Sequence, residues 1–257
     1  MDCPKGLIGL RDIGDYTEKY IQGGFEFIQV EYRRKKVLEM IKKEKPSTLL
    51  EIGCGMKPLF LDLPDVKTTV IDPSEKFCKN AESLNVAGKH VIINDFFDSN
   101  FINKYSPVGF DMIICSGLLH EVGNPSELLN AIHKGCKENT IVHINVPNAN
   151  SLHRLIAKEA GLIEDIHAMS ERNTMFQQNV VFDMRSLEDI VCSSGFEIVE
   201  EGSYFVKPFT HWQMQEMINR EIIDAKILDG LDGLTKYIPE FGSEIYVNCK
   251  IKNKDYK

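Results

Sequence analysis

Two glycines and two acidic residues are spaced as a nucleoside-binding site would require. The segment TLLEIGCGMKP, residues 48–58, runs from an apolar strand through Glu51 into Gly53 and Gly55. Glycines directly after a strand allow a ligand to approach the backbone closely. The next apolar segment ends in Asp72, about twenty residues after the first glycine, where a carboxylate can accept both hydroxyls of a ribose. The pattern therefore indicates a ligand that resembles adenosine.

No phosphate-binding loop accompanies these glycines. A Walker A loop is excluded because no Gly-Lys-Ser/Thr follows them. A dinucleotide-binding loop requires a third glycine, and Pro58 occupies that position. The third strand ends in Asp95 and Phe96, a carboxylate and an aromatic ring that could contact an adenine. We therefore expect a nucleoside without phosphates, to which Glu51 offers a carboxylate for a cation or a hydroxyl.

Apolar strands alternate with helical segments over most of the chain. This alternation predicts βαβ units and hence an α/β fold with a doubly wound, mostly parallel sheet. Helical periodicity predicts helices over 16–43, with a break at Gly23 and Gly24, and over 74–86, 125–138 and 186–194. Apolar runs bounded by turn residues predict strands at 48–52, 68–72, 90–94, 110–115, 140–146, 196–206 and 242–251.

The same alternation suggests how the chain is organised. We expect an N-terminal helical segment at 1–45 and a ligand-binding core at 46–146. A helical and loop insertion over the site is expected at 147–185, since an excursion of this length usually covers a site or a partner. The C-terminal part of the core is then 186–257, with a helical insert at 209–238.

The composition argues against several classes of partner. The chain has 257 residues and a net charge of −8, which opposes a nucleic acid as the main ligand. The basic residues 33–36 lie on a helical pattern and are interpreted as a solvated face. The seven cysteines contain no CxxC pair, which suggests a reducing cytoplasm and no structural zinc. No signal peptide or membrane span is expected, and frequent Lys, Asn and Ile suggest a bacterial source.

Four motifs in order resemble the class I S-adenosylmethionine-dependent methyltransferases, in their small-molecule type 11/12 branch. The segment LLEIGCG resembles the family's first motif, and VIDPS resembles the segment with its ribose-binding acid. NDFF resembles its adenine-contacting motif, and FDMIICSGLLHEV resembles its fourth motif. The resemblance covers about residues 30 to 146, and Met56, Lys57 and Pro58 depart from it where the family has small residues. The methionine end of the cofactor is therefore expected to be held slightly differently.

The resemblance implies a seven-stranded Rossmann-like methyltransferase fold whose helical insertions form a cap. It implies S-adenosylmethionine as the cofactor, with Arg33 or Arg34 available for its carboxylate. The cofactor contacts that we expect are Arg33, Glu51, Gly53, Cys54, Gly55, Asp72, Pro73, Ser74, Asp95, Phe96, Ser116 and Gly117.

Methyl transfer to a hydroxyl requires the loss of a proton, which a histidine can accept as general base. The leading candidate is His120, after the fourth strand, and the second is His167 in the insertion. Residues expected to contact the acceptor are Glu121, Asn148, His153, Lys207 and His211. No HxH, HExxH or DxD motif is present, so no metal is expected.

We therefore expect a methyltransferase that O-methylates a small polar acceptor. Its expected acceptor is a sugar, nucleotide sugar or phosphorylated polyol of surface-polysaccharide or related biosynthesis. The alternatives are N- or C-methylation of another small metabolite, an inactive cofactor-binding module, and an NAD-dependent oxidoreductase, which Pro58 opposes. The sequence leaves open whether the protein is a monomer or a homodimer.

Overall fold

The fold is built around one seven-stranded sheet flanked by helices. The computed structural model describes residues 12–21, 24–105 and 109–252. The strands are β1 (Thr48–Ile52), β2 (Lys67–Asp72), β3 (Val91–Asn94), β4 (Phe110–Ser116), β5 (Cys136–Pro147), β6 (Phe196–Tyr204) and β7 (Glu244–Ile251). Their order is β3-β2-β1-β4-β5-β7-β6. In this sheet β7 runs antiparallel to the other strands. The predicted α/β fold with a doubly wound, mostly parallel sheet is confirmed.

Ten helices surround the sheet or extend from it within the described residues. They are α1 (Ile13–Ile21), α2 (Phe25–Glu44), α3 (Glu75–Leu84), α4 (Phe101–Tyr105), α5 (Pro125–Lys134), α6 (Leu152–Glu159), α7 (Glu171–Met175), α8 (Met184–Ser193), α9 (His211–Asn219) and α10 (Ala225–Gly233). Side-chain caps fix the first residues of several helices. The Ser74 side chain accepts from the backbone N–H of Phe77 at the start of α3, and the Asn124 side chain accepts from the backbone N–H of Glu127 at the start of α5. None of these described helices is both long and apolar enough to cross a bilayer.

Two predicted helices have different bounds in the structure. The break expected at Gly23 and Gly24 separates α1 from α2, and α1 begins at Ile13 rather than at 16. Gly23 lies outside the described residues, and Gly24 has a φ of +52° that favours glycine. The helix expected over 125–138 ends at Lys134, and β5 begins at Cys136 rather than at 140. The reason is that Cys136 pairs with Phe110 of β4, so the residues after the helix join the sheet.

The strand order reverses direction between β1 and β4, and this reversal positions the site. In open α/β sheets a ligand binds at the carboxyl ends of the strands on either side of such a point. The side chains of Leu50, Ile113 and Val142, on β1, β4 and β5, are fully buried in the core beneath it. Because β7 is antiparallel, its first residue, Glu244, pairs with Pro147 and lies at this same edge.

Candidate active site at the carboxyl edge of the sheet

A cavity of about 260 Å³ lies at the carboxyl edge of the sheet. Its walls come from the tips of β1, β2, β4 and β5, from α1 and α2, and from the segments that follow β5 and β6. The residues predicted for the site that line it are Arg33, Glu51, Gly53, Cys54, Gly55, Asp72, Pro73, Ser74, Ser116, Gly117, His120, Glu121, Asn148, His153, Lys207 and His211. The structure thus brings most of the predicted site residues together.

The loop after β1 and the tip of β2 form one wall of the cavity. Gly53 has a φ of +79°, and a Cβ added there would meet no atom within 4 Å, so its backbone faces open space. Asp72 is 5% exposed and accepts from the backbone N–H of Cys54 at 2.9 Å and of Ser74 at 2.8 Å. A carboxylate can accept about four hydrogen bonds. Asp72, which also accepts from the backbone of Gly55, therefore braces the glycine loop at the tip of β2.

Both acids at this wall have raised pKa values. Burial raises the pKa of Asp72, although backbone N–H donors from Ser74 and Cys54 oppose the shift. Burial also raises the pKa of Glu51 to about 8, against the opposing hydrogen bond from the backbone of Leu59. The Leu59 N–H lies 3.2 and 3.0 Å from the two oxygens of Glu51. Glu51 therefore exchanges its proton near neutral pH.

This shift predicts a pH dependence of stability. Between its ordinary pKa of 4.5 and its folded pKa of about 8, Glu51 binds more proton in the folded state than in the unfolded state. The free energy of unfolding must then fall as pH rises through this window, by up to about 1.4 kcal/mol per pH unit from this group. We expect Glu51→Gln to remove that slope in denaturant unfolding at pH 5, 6, 7 and 8. Parallel curves for the variant and the wild type would contradict the shift.

The tip of β4 presents a histidine and a glutamate to the cavity. His120 is 4% exposed, and its Nε2 lies 3.7 Å from Oε1 of Glu121. The segment before α8 fixes this tip, since the backbone N–H of Asn179 donates to the carbonyl of His120 at 2.9 Å. The side chain of Asn179 also donates to the carbonyl of Glu121 at 2.8 Å. An imidazole is therefore held in a defined place beside the glycine loop.

A buried acid that the sequence analysis did not identify anchors the opposite wall. Glu244 accepts from Arg33 at 2.8 and 2.5 Å and from Gln29 at 2.7 Å. It also accepts from Asn145 at 2.8 Å and from the hydroxyl of Tyr204 at 2.5 Å. Burial would lower the pKa of Arg33, but the ion pair with Glu244 outweighs it and leaves that pKa well above its usual range. The one signal in the sequence was an acid directly before the apolar run 245–247.

A second polar chain runs from α2 to the segment after β6. Nε2 of His211 lies 3.0 Å from Oε2 of Glu26, and its Nδ1 lies 2.9 Å from Nζ of Lys207. Lys207 is only 1% exposed although it lines the cavity. Glu26 also lies 3.1 Å from Arg33, so this chain is continuous with the Glu244 cluster. Lys207 and His211 were predicted, whereas Glu26 was not.

Two of the four basic residues 33–36, Arg33 and Arg34, are mostly buried, contrary to the sequence-based interpretation, whereas Lys35 and Lys36 do face solvent. Arg33 is bound by Glu244 and by Glu26, as described above. Arg34 is buried and donates to Asp62 at 2.7 Å and to the carbonyl of Pro58 at 2.8 Å. It therefore anchors the end of the glycine loop instead of being available to a ligand, and Arg33 stays the predicted cofactor contact of the two.

The first helix also covers the site, which the sequence did not reveal. Thr17 of α1 donates to the hydroxyl of Ser74 at 2.9 Å. The hydroxyl of Tyr20 would lie 3.1 Å from a Cβ added at Gly55, and its ring packs edge-on against Phe77. Burial raises the pKa of Tyr20 to about 12. Gly55 is thus required because an aromatic ring passes close to its backbone.

Two of the predicted cofactor contacts lie outside the cavity. Asp95 pairs with Lys104 of α4 at 3.0 Å, and the hydrogen bond from this lysine lowers the pKa of Asp95. Phe96 is 51% exposed, and neither residue lines the cavity. The reason is a local contact, because Asp95 follows β3 and forms its ion pair with Lys104 of α4.

The second candidate base, His167, also lies outside the cavity. Its side chain is 42% exposed, and its Nε2 lies 3.1 Å from Oδ2 of Asp183. Asp183 caps α8 by accepting from the backbone of Ser186 at 2.8 Å. His167 therefore supports a helix start. Within the described ranges, no group of three or more His, Cys, Asp or Glu side chains is arranged to hold a metal ion.

A family model described as a methyltransferase domain matches residues 25–201, more than half of the chain. No curated protein matches the sequence. Many solved structures share the fold.

Three of these structures illustrate the similarity. An S-adenosylmethionine-dependent methyltransferase from Clostridium acetobutylicum has a TM-score of 0.57 and 12% identity, covering 92% of this chain and 99% of that one. Another from Thermotoga maritima has a TM-score of 0.56 and 12% identity, covering 93% and 99%. The N-methyltransferase NodS from Bradyrhizobium japonicum, in complex with S-adenosylhomocysteine, has a TM-score of 0.51 and 12% identity, covering 86% of each chain. At these identities the likeness shows a shared fold.

Proposed function

Because the chain belongs to the family of S-adenosylmethionine-dependent methyltransferases, we propose that it methylates an oxygen atom of a small polar acceptor. The proposed acceptor is a sugar, a nucleotide sugar or a phosphorylated polyol, in surface-polysaccharide or related biosynthesis of a bacterial cytoplasm. One observation carries the proposal: the nucleoside-type contacts at Gly53 and Asp72 and the buried imidazole of His120 line the same cavity.

The cavity residues fit S-adenosylmethionine. The space before Gly53 is open, and Asp72 lies at the tip of β2, where an acid in this type of sheet contacts a ribose. The third glycine of a dinucleotide-binding loop is missing, because Pro58 occupies its position. These features support a nucleoside with a methionine side chain over the pyrophosphate of a dinucleotide.

The residues around the β4 tip suggest how methyl transfer would be assisted. When bound, S-adenosylmethionine supplies a methyl group activated by its positive sulfur. In the proposed mechanism His120 accepts the proton from the acceptor hydroxyl, and Glu121 stabilises the resulting imidazolium from 3.7 Å. The hydrogen bond from Asn179 keeps the β4 tip in place. The protein would contribute to catalysis mainly by positioning the acceptor and by excluding water.

A methyl-transfer screen tests the proposal. The purified chain would be incubated with methyl-labelled S-adenosylmethionine and a panel of sugars, nucleotide sugars, phosphorylated polyols and primary amines. We expect label to enter a hydroxyl-bearing member of the panel as an ether that resists alkali, and S-adenosylhomocysteine to inhibit the transfer. Label in amines alone would make the protein an N-methyltransferase. S-adenosylhomocysteine binding without any transfer would favour a non-catalytic binding module.

A glycine substitution tests whether the β1 loop contacts the cofactor. Gly53→Ala places a Cβ in the space proposed for the ligand, so we expect S-adenosylhomocysteine affinity to fall by about tenfold or more in calorimetry. The matched control is Gly88→Ala. Gly88 also has a positive φ, +61°, and open space around it, but it does not line the cavity. Both variants should lose about 1–2 kcal/mol of stability; equal loss of affinity in both would contradict the assignment.

A further inference from the structure

We infer that Tyr20 of α1 is a cofactor contact, whose hydroxyl donates to the carboxylate at the methionine end of S-adenosylmethionine, beside Nη1 of Arg33. Both residues line the cavity. Arg33 was predicted as a cofactor contact from the sequence, whereas Tyr20 was not. The assignment rests on the proposed function and specifies how this chain holds one end of its cofactor.

Contacts on two sides fix the ring of Tyr20 over the glycine loop. The ring packs edge-on against Phe77 of α3, with 5.5 Å between the ring centroids. On the other side, the hydroxyl would lie 3.1 Å from a Cβ added at Gly55. The helix itself is anchored, because the buried Thr17 donates to the hydroxyl of Ser74 at 2.9 Å. The hydroxyl of Tyr20 is therefore preorganised at the cavity wall.

The hydroxyl of Tyr20 has an unused donor. It makes no hydrogen bond to any residue within the ranges 12–21, 24–105 and 109–252. Burial raises the pKa of Tyr20 to about 12, although the charge of Arg33 opposes the shift. The group is therefore a neutral O–H at physiological pH, which can donate one hydrogen bond to a ligand in the cavity.

Arg33 offers a second donor to the same part of the cavity. Its Nε donates to Glu244 at 2.8 Å, and its Nη2 donates to Glu244 at 2.5 Å and to Glu26 at 3.1 Å. Nη1 has no acceptor among the described residues and lies 3.3 Å from the position of a Cβ added at Gly117. Gly117 directly follows β4 and lines the cavity, so Nη1 lies at the cavity wall.

The strand order indicates which part of the cofactor these two donors meet. β1 lies between β2 and β4 in the sheet. With the ribose at Asp72 after β1's neighbour β2 and the reacting methyl near His120 after β4, the ligand crosses the loop that follows β1. The part of the cofactor beyond the ribose is its methionine moiety. Its carboxylate accepts hydrogen bonds from O–H and N–H donors, and such charge-assisted bonds are the stronger kind.

Calorimetry with two ligands tests the assignment. The ligands are S-adenosylhomocysteine and its decarboxylated analogue, which keeps the amine and lacks only the carboxylate. Tyr20→Phe keeps the ring against Phe77 and removes the hydroxyl. We expect this variant to bind S-adenosylhomocysteine about tenfold or more weakly than the wild type, because a hydrogen bond to a charged group is lost. Its affinity for the decarboxylated analogue should stay within about twofold of the wild type, since the contact exists only with the carboxylate.

A matched variant and the pattern across both ligands make the outcome decisive. Tyr237 is exposed and does not line the cavity, so Tyr237→Phe should bind both compounds like the wild type. Circular dichroism checks that each variant folds. Wild-type affinity of Tyr20→Phe for S-adenosylhomocysteine, or equal weakening of both compounds, would overturn the inference and leave the proposed function standing. A wild-type protein that binds neither compound would instead refute the proposed function, together with the assignment that rests on it.

Discussion

Replacing Glu244 by alanine is expected to lower the free energy of unfolding by about 3–5 kcal/mol. Its carboxylate is fully buried and pairs with Arg33 at 2.5 Å, so its removal leaves a mostly buried guanidinium whose remaining carboxylate partner among the described residues is Glu26. Gln29, Asn145 and Tyr204 would lose their acceptor at the same time. Urea denaturation of the wild type and the variant measures the loss.

Two controls separate charge from packing and from general surface effects. Glu244→Gln keeps the volume and an oxygen acceptor, so it should be less destabilising than alanine. Lys43→Ala removes the exposed pair with Glu200, which lie 3.1 Å apart, and should leave stability close to the wild type because exposed pairs contribute little. A Glu244→Ala protein that is as stable as the Lys43→Ala protein would show that the buried cluster does not hold α2 against β7.

Replacing His120 by alanine is expected to reduce turnover about a hundredfold or more, once an acceptor has been identified. The imidazole lies at the tip of β4 inside the cavity and is the group best placed to accept the hydroxyl proton. Because the predicted ribose and loop contacts lie at Asp72 and Gly53, the affinity for S-adenosylhomocysteine should change by less than about threefold. Steady-state kinetics and calorimetry on the same preparation measure both quantities.

His167→Ala is the natural control for this prediction. It removes a histidine that pairs with the α8 cap residue Asp183 and lies outside the cavity. We expect near-normal turnover and a small loss of stability. Normal turnover in His120→Ala would rule out His120 as the base and direct attention to His211, the other cavity histidine with a carboxylate partner.

The parts of the site that the sequence predicted are those encoded locally. Gly53 and Asp72 follow apolar strands, and the tips of neighbouring parallel strands meet at one edge whatever the rest of the chain does. The alternation of strands and helices was likewise sufficient to predict the doubly wound sheet. Asp95 was placed in the site from its strand tip and from the resemblance of NDFF to the family's adenine-contacting motif, and His167 from its residue type in the insertion. In the structure Asp95 pairs with Lys104 and His167 pairs with Asp183. The hydrophobic periodicity of the sequence does not indicate either contact.

The acceptor side of the site depends on contacts between distant parts of the chain. Glu244 and Arg33 are 211 residues apart in sequence, and Glu26 and His211 are 185 apart. These pairs meet because β7 inserts antiparallel between β5 and β6, which brings its first residue to the carboxyl edge. Strand order and direction are set by packing of the whole sheet, and local sequence patterns do not reveal them. The role of α1 as a cover over Ser74 was missed for the same reason.

A crystal structure of the chain grown with equal concentrations of S-adenosylhomocysteine and NAD would test the central claim most directly. We predict that S-adenosylhomocysteine binds in the cavity, with its ribose hydroxyls bound to Asp72 and with the ligand in contact with the backbone of Gly53. A pyrophosphate lying across Gly53 and Gly55, or S-adenosylhomocysteine bound away from the tips of β1 and β2, would contradict it.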